Sequence, residues 1–147
     1  ELTLSKIEDL HQLLTFNLGV EKNVRKTLVG ITGTDYKPLD NQFQIKEALH
    51  ETFLIINNID LHPLLKALSA IALISYIQPF EDGNKRTARI LGNAILLACE
   101  YCPLSYRSVN KNDYKKATLL FYEQSNLRPL KEMFVQQFEV AVENYFG

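Results

Sequence analysis

Leu64 to Tyr76 is apolar on almost every face of a helix. Leu64, Leu65, Ala67, Leu68, Ala70, Ile71, Ala72, Leu73 and Ile74 leave no polar stripe to turn toward water. Such a helix has to be surrounded by other elements. It is too short to cross a bilayer, and no stretch of the chain reaches about 18 consecutive apolar residues. The rest of the chain must therefore supply a jacket, and 147 residues are enough for one domain with a real core.

Most of that jacket reads as amphipathic helix. Thr3 or Ser5 caps a first helix whose Ile7, Leu10, Leu13 and Leu14 share a face. Asn41 to Asn57 carries Phe43, Ala48, Leu49, Phe53 and Ile56 as its apolar set, and His62-Pro63 starts the apolar helix that Pro79 ends. Asn84 to Tyr101 is helical through Ile90, Leu91, Ala94, Ile95 and Ala98, and Pro103 stops it. Asn110 or Asn112 caps a helix with Tyr114, Ala117, Leu120 and Phe121. A last helix after Pro129 carries Leu130, Phe134, Phe138, Ala141 and Tyr145.

One segment departs from this pattern. Thr27 to Thr34 is β-branched and broken by glycines, which predicts a short two-stranded flap with turn chemistry from Gly33 to Pro38. Its open backbone would suit pairing with an extended peptide, though a plain hairpin connector fits the residues slightly better. The expected fold is all-α, a single helical domain over 1–147 with a short β-hairpin flap. A first residue other than Met suggests a domain taken from a longer chain.

Composition narrows the partners. A net charge of −1 lacks the basic excess of a nucleic-acid binder, so any positive site is local. No membrane span and no signal peptide are visible. Cys99 and Cys102 form a lone CxxC without a second pair, and His11, His50 and His62 have no ligand spacing to it. Packing is the better reading of both thiols, and free thiols suit a cytoplasmic setting.

The chemistry is concentrated in Gln78-Pro-Phe-Glu-Asp-Gly-Asn-Lys-Arg-Thr-Ala-Arg89, between two core helices. A helix N-terminus attracts anions. Gly83 allows close approach and a positive φ. Asn84 can cap the helix or bond an oxygen, and Arg86 and Arg89, three apart, can grip two phosphates. Asp82 beside them is placed to hold Mg2+ on a nucleotide or polyphosphate. For any one of these residues, capping or a solvated charge is the simpler account; taken together on one loop, they favour function.

The stretch resembles the motif of the Fic family, His-x-Phe-x-(Asp/Glu)-Gly-Asn-Gly-Arg-x-x-Arg, matching at Phe80, Asp82, Gly83, Asn84, Arg86 and Arg89. The resemblance implies transfer of AMP from ATP, or another nucleoside triphosphate, to a target-protein hydroxyl. Phe80 would anchor the loop, Asp82 would hold Mg2+, and Gly83 and Asn84 would form the anion hole. Arg86 would neutralise phosphate, Arg89 would reach the far end of the nucleotide, and the flap at Val29, Gly30, Ile31, Thr32 and Gly33 would clamp the target.

Two departures change the expectation. Gln78 stands where the family has its proton-accepting histidine, and an amide has no usable basicity near neutral pH. Loss of a general base typically costs about 10²–10⁴ in rate. The residues thus imply weak or absent AMP transfer, or a nucleotide-binding pseudoenzyme with a regulatory role. Lys85 replaces the second glycine, a feature similar to Doc, the toxin of a toxin–antitoxin pair, which transfers phosphate instead; Lys85 would then also contact the nucleotide. The family's inhibitory (Ser/Thr)-x-x-x-Glu-(Gly/Asn) pattern fails at Glu143-Asn144, because Glu139 stands where Ser or Thr is needed. An inhibitory helix or antitoxin would come from outside this chain.

Overall fold

The computed structural model describes residues 1–146 and contains six helices: α1 (Leu4–Leu14), α2 (Gln42–Ile56), α3 (Pro63–Ile77), α4 (Asn84–Ala98), α5 (Lys111–Gln124) and α6 (Arg128–Phe146). Local chemistry sets their starts. The Thr3 hydroxyl accepts from Lys6 N, Asn41 Oδ1 from Gln44 N, and Asn110 Oδ1 from Asn112 and Asp113 N. Pro63 occupies the first turn of α3, where its missing N–H costs nothing.

The apolar α3 is the central element and packs against α2, α4, α5 and α6. Ala70, Ile74 and Ile77 join Ile7, Ile45, Leu49 and Leu91 in one cluster, while Leu68 and Ile71 turn to Leu96, Leu104 and Phe134 in another. The closest approach is to α4 at Gly92, where an added Cβ would come within 2.8 Å of Ile71. A side chain there would push the two helices apart, and α4 is the helix that presents the motif.

Some sequence expectations need correction. Phe43, Leu13 and Tyr145 project into solvent at 76%, 78% and 64% exposure, because their faces meet no partner. Helix α4 stops at Ala98 and not Tyr101, since Glu100 turns left-handed at φ 65°. Helix α6 begins at Arg128 and takes Pro129 into its first turn.

The flap also differs. Residues 27–40 contain a turn at Thr32-Gly33 and no strand, and no strand occurs among the described residues. The returning arm is drawn into the helical core instead of lying beside the outgoing one. Pro38 is buried and Leu39 packs on the main cluster. The Tyr36 hydroxyl donates to Tyr76 O at 2.7 Å while its ring stacks on Tyr76, and the Thr34 hydroxyl donates to Glu123. β-propensity without a cross-strand partner does not make a ladder.

Candidate functional site

Helix α3 ends in an abrupt turn. Gln78 takes a left-handed backbone (φ 51°, ψ 61°), and the buried Pro79 and Phe80 follow. The chain then rises through the exposed Glu81 and Asp82 and enters α4 at Gly83, φ 81°. No side chain caps α4. Its first N–H groups have no intrahelical acceptor and are left to face whatever occupies the space before them. That space is a cleft of about 550 Å³, lined by Val29, Gly30, Ile31 and Thr32 above, by the motif residues below, and by Lys115, Thr118, Leu119 and Tyr122 of α5 at the side.

The loop is held from behind by a network with only one consistent set of orientations. Asn84 is buried, and its Oδ1 accepts from Phe80 N at 2.9 Å while its Nδ2 donates to Phe80 O at 2.8 Å. The same Nδ2 donates to Gln78 Oε1 at 3.1 Å, which leaves Gln78 Nε2 to donate to Ser75 O at 2.6 Å. Rotating either amide would set donor against donor. Asn84 therefore neither caps α4 nor presents its amide to a ligand. It braces Phe80 and orients Gln78, and the backbone of the helix start is what remains for an anion.

Two residues of this support were not singled out from sequence. His11 of α1 is fully buried, stacks on Phe80 at 3.8 Å between centroids, and donates from Nε2 to Asp82 O at 2.8 Å. A carbonyl can only accept, so that nitrogen carries the proton. Turned to the loop's back, His11 is no substitute for the missing base. Its signal was indirect: an N-terminal histidine on the apolar face of an amphipathic helix. Replacing His11 by Ala is expected to lower stability by about 2–4 kcal/mol, through the orphaned carbonyl and the lost stacking. Equilibrium urea unfolding measures it, and a loss below about 1 kcal/mol would contradict this assignment.

Arg25 is the second. It is 1% exposed and has no carboxylate partner among the described residues. Its Nε donates to Gln78 O, Nη1 to Thr27 O at 2.9 Å, and Nη2 to Leu39 O at 2.7 Å and Ile77 O at 3.3 Å, while its own N–H donates to Pro79 O at 2.9 Å. The C-terminal carbonyls of α3 carry the partial negative charge that offsets the guanidinium. One side chain thus fastens both ends of the flap to the base of the motif.

The cleft is cationic. Lys85, Arg86, Arg89 and Lys115 all line it, and among the described residues the ion pairs are Lys22–Asp9 and Arg128–Glu132, elsewhere on the surface. Arg89 packs on both the Tyr106 and Tyr114 rings, 4.5 Å from each centroid, in the corner where the two rings meet at right angles. Burial, then the neighbouring Arg89 and Lys115, lower the pKa of Lys85. Tyr122, pushed up to about 12 chiefly by burial, cannot serve as a base near neutral pH.

Asp82 has one oxygen committed, Oδ1 accepting from Gly83 N at 2.7 Å. Among the described residues no three His, Cys, Asp or Glu side chains are grouped as a metal site. One free carboxylate oxygen fits Mg2+ only in the form in which a nucleotide supplies phosphate oxygens as well. Glu143 and Asn144 are exposed and do not line the cleft. Among the described residues no helix is long and apolar enough to cross a membrane.

Comparison with known proteins bears on the family and the fold. The sequence model described as Fic/DOC family matches residues 1–96. A protein adenylyltransferase Fic of Nematostella vectensis is 37% identical over 91 residues, covering 59% of this chain and 20% of that protein. Fic-1 from Caenorhabditis elegans superposes with a TM-score of 0.79 at 22% identity, over 100% of this chain and 43% of that one. BepC from Bartonella tribocorum, solved with bound AMPPNP, gives a TM-score of 0.74 at 17% identity, over 91% of this chain and 73% of that one. The chain spans 20% of the length of the Nematostella vectensis protein and 29% of the protein adenylyltransferase fic-1 of Caenorhabditis elegans.

Proposed function

The chain belongs to the Fic/DOC family, and from that premise we propose that its cleft binds a nucleoside triphosphate with Mg2+ and supports, at most weakly, AMP transfer to a protein hydroxyl. The observation that carries the reading is the uncapped start of α4 facing a cleft with four cations that have no ion-pair partner among the described residues. The N–H groups at Asn84, Lys85 and Arg86 would hold phosphate oxygens, with Arg86 and Arg89 neutralising charge. Asp82 would hold Mg2+, which, once bound, would neutralise phosphate charge. The names of the relatives, protein adenylyltransferases, support AMP as the transferred group.

Gln78 limits the chemistry. Its Oε1 can accept a hydrogen bond from an attacking hydroxyl and orient it, but it cannot keep the proton. The target would lie along Val29 to Gly33, whose unpaired main chain is open to an extended segment. Phosphate transfer is the second reading. It is favoured by Lys85, whose Nζ reaches along the cleft to 5.9 Å from the Tyr114 ring.

Calorimetry with Mg-ATP tests the binding. The parent chain is expected to bind, and Arg86→Ala or Asp82→Ala to weaken binding about 10- to 100-fold, as for loss of a charged hydrogen-bonding partner. No heat with the parent would sink the proposal.

A further inference from the structure

Helix α5 lies beyond the residues matched by the family model, yet it forms one wall of the cleft. Lys115, Thr118, Leu119 and Tyr122 recur at helical spacing and all face that space. Lys115 stands beneath the flap tip. An added Cβ at Gly33 would come within 3.2 Å of its Nζ, so the turn at φ 90° and the ammonium are neighbours. From α4, Lys85 leans toward the same wall, 5.9 Å from the Tyr114 ring. Arg89, in the corner made by the perpendicular Tyr106 and Tyr114 rings, has a buried Nε without a hydrogen-bond partner among the described residues. Three cations therefore converge from two helices on a wall where, among the described residues, none is paired with a carboxylate.

Like charges so placed repel, although only Arg89 is half-buried while Lys85 and Lys115 are exposed to water that screens part of the repulsion. Burial is the larger cause of the lowered Lys85 pKa, and repulsion from Arg89 and Lys115 adds to it. An anion placed among them would relieve the repulsion.

We propose that Lys115, with Lys85 and Arg89, forms an anion subsite beneath the flap tip, apart from the open N–H groups at the start of α4, and that it takes the outermost phosphate of a nucleoside polyphosphate. This rests on the nucleotide reading of the cleft and adds to it a residue of α5 and a preference for phosphate number. A nucleoside monophosphate held at the start of α4 would leave Lys115 unused. A triphosphate would engage it, and the flap turn would then be ordered over the bound phosphate.

Calorimetry with AMP, ADP, ATP and inorganic tripolyphosphate tests this in the parent chain, Lys115→Gln, Lys115→Arg and Lys116→Gln. Lys116 is one residue away on α5 and outside the cleft, so it controls for net charge. Lys115→Gln is expected to weaken ATP and tripolyphosphate about tenfold and leave AMP unchanged, as for loss of one charged hydrogen bond. Lys115→Arg should keep most of the affinity, and Lys116→Gln all of it. Equal ATP binding by parent and Lys115→Gln overturns the subsite while leaving the cleft a nucleotide site. Equal losses in Lys116→Gln overturn it too, as bulk electrostatics. A parent that binds none of the four anions removes the nucleotide reading and the subsite together.

Discussion

Gln78→His is expected to raise transfer of label from ATP to protein by about 10²- to 10⁴-fold, the usual contribution of a positioned general base. The backbone requires no change, since Gln78 already sits in the left-handed region, which histidine visits more readily than most residues. The surrounding acceptors are also in place. An imidazole whose N–H replaced the amide's bond to Ser75 O would leave its second nitrogen free to take a proton near neutral pH. Parallel assays with α- and γ-labelled ATP read the outcome. Label from the α position alone would assign AMP transfer, and label from the γ position would assign phosphate transfer and a directing role for Lys85. A variant that binds Mg-ATP yet transfers neither label would leave a binding module.

Arg25→Ala carries the largest expected cost in stability, about 3–6 kcal/mol, because it strands four carbonyls, that of Ile77 buried and the others partly so, and opens a cavity at once. Marginal domains hold only about 5–15 kcal/mol in total, so the variant is expected near the limit of folding. Urea unfolding should show the midpoint falling steeply, and Arg25→Lys should recover little, since an ammonium cannot span Thr27, Leu39 and the end of α3 together. A loss under about 1 kcal/mol would mean that water replaces the guanidinium, and that the flap is not tied to the motif through this side chain.

The helical architecture was legible because its signals are local. The buried α3 announced itself through an apolar surface on all sides, and Thr3, Asn41 and Asn110 marked helix starts within a residue. The motif was legible for the same reason: its residues are contiguous, and Gln78, Glu81 to Arg86 and Arg89 line one cleft, with Pro79, Phe80, Thr87 and Ala88 buried behind it. What escaped was non-local. Arg25 acts across 53 residues on Gln78, and His11 across 71 on Asp82. Nothing near either in sequence distinguishes it from a surface arginine or a core histidine. Lys115 is one of three lysines in Lys111–Lys116, and only the packing of α5 selects which faces the cleft. The flap failed as a hairpin because strand propensity is realised only against a partner, and Tyr36 and Leu39 had better partners in the helices.

The left-handed turn at Gln78 also filters which residues can stand at that position over evolutionary time. A β-branched side chain there would add strain to a conformation that already costs a non-glycine residue about 1–3 kcal/mol, so valine, isoleucine and threonine are disfavoured before catalysis is considered. Glutamine and histidine both satisfy the turn, and a single base change in a codon separates them. The missing base is therefore a short mutational step away, with the backbone that would receive it already folded.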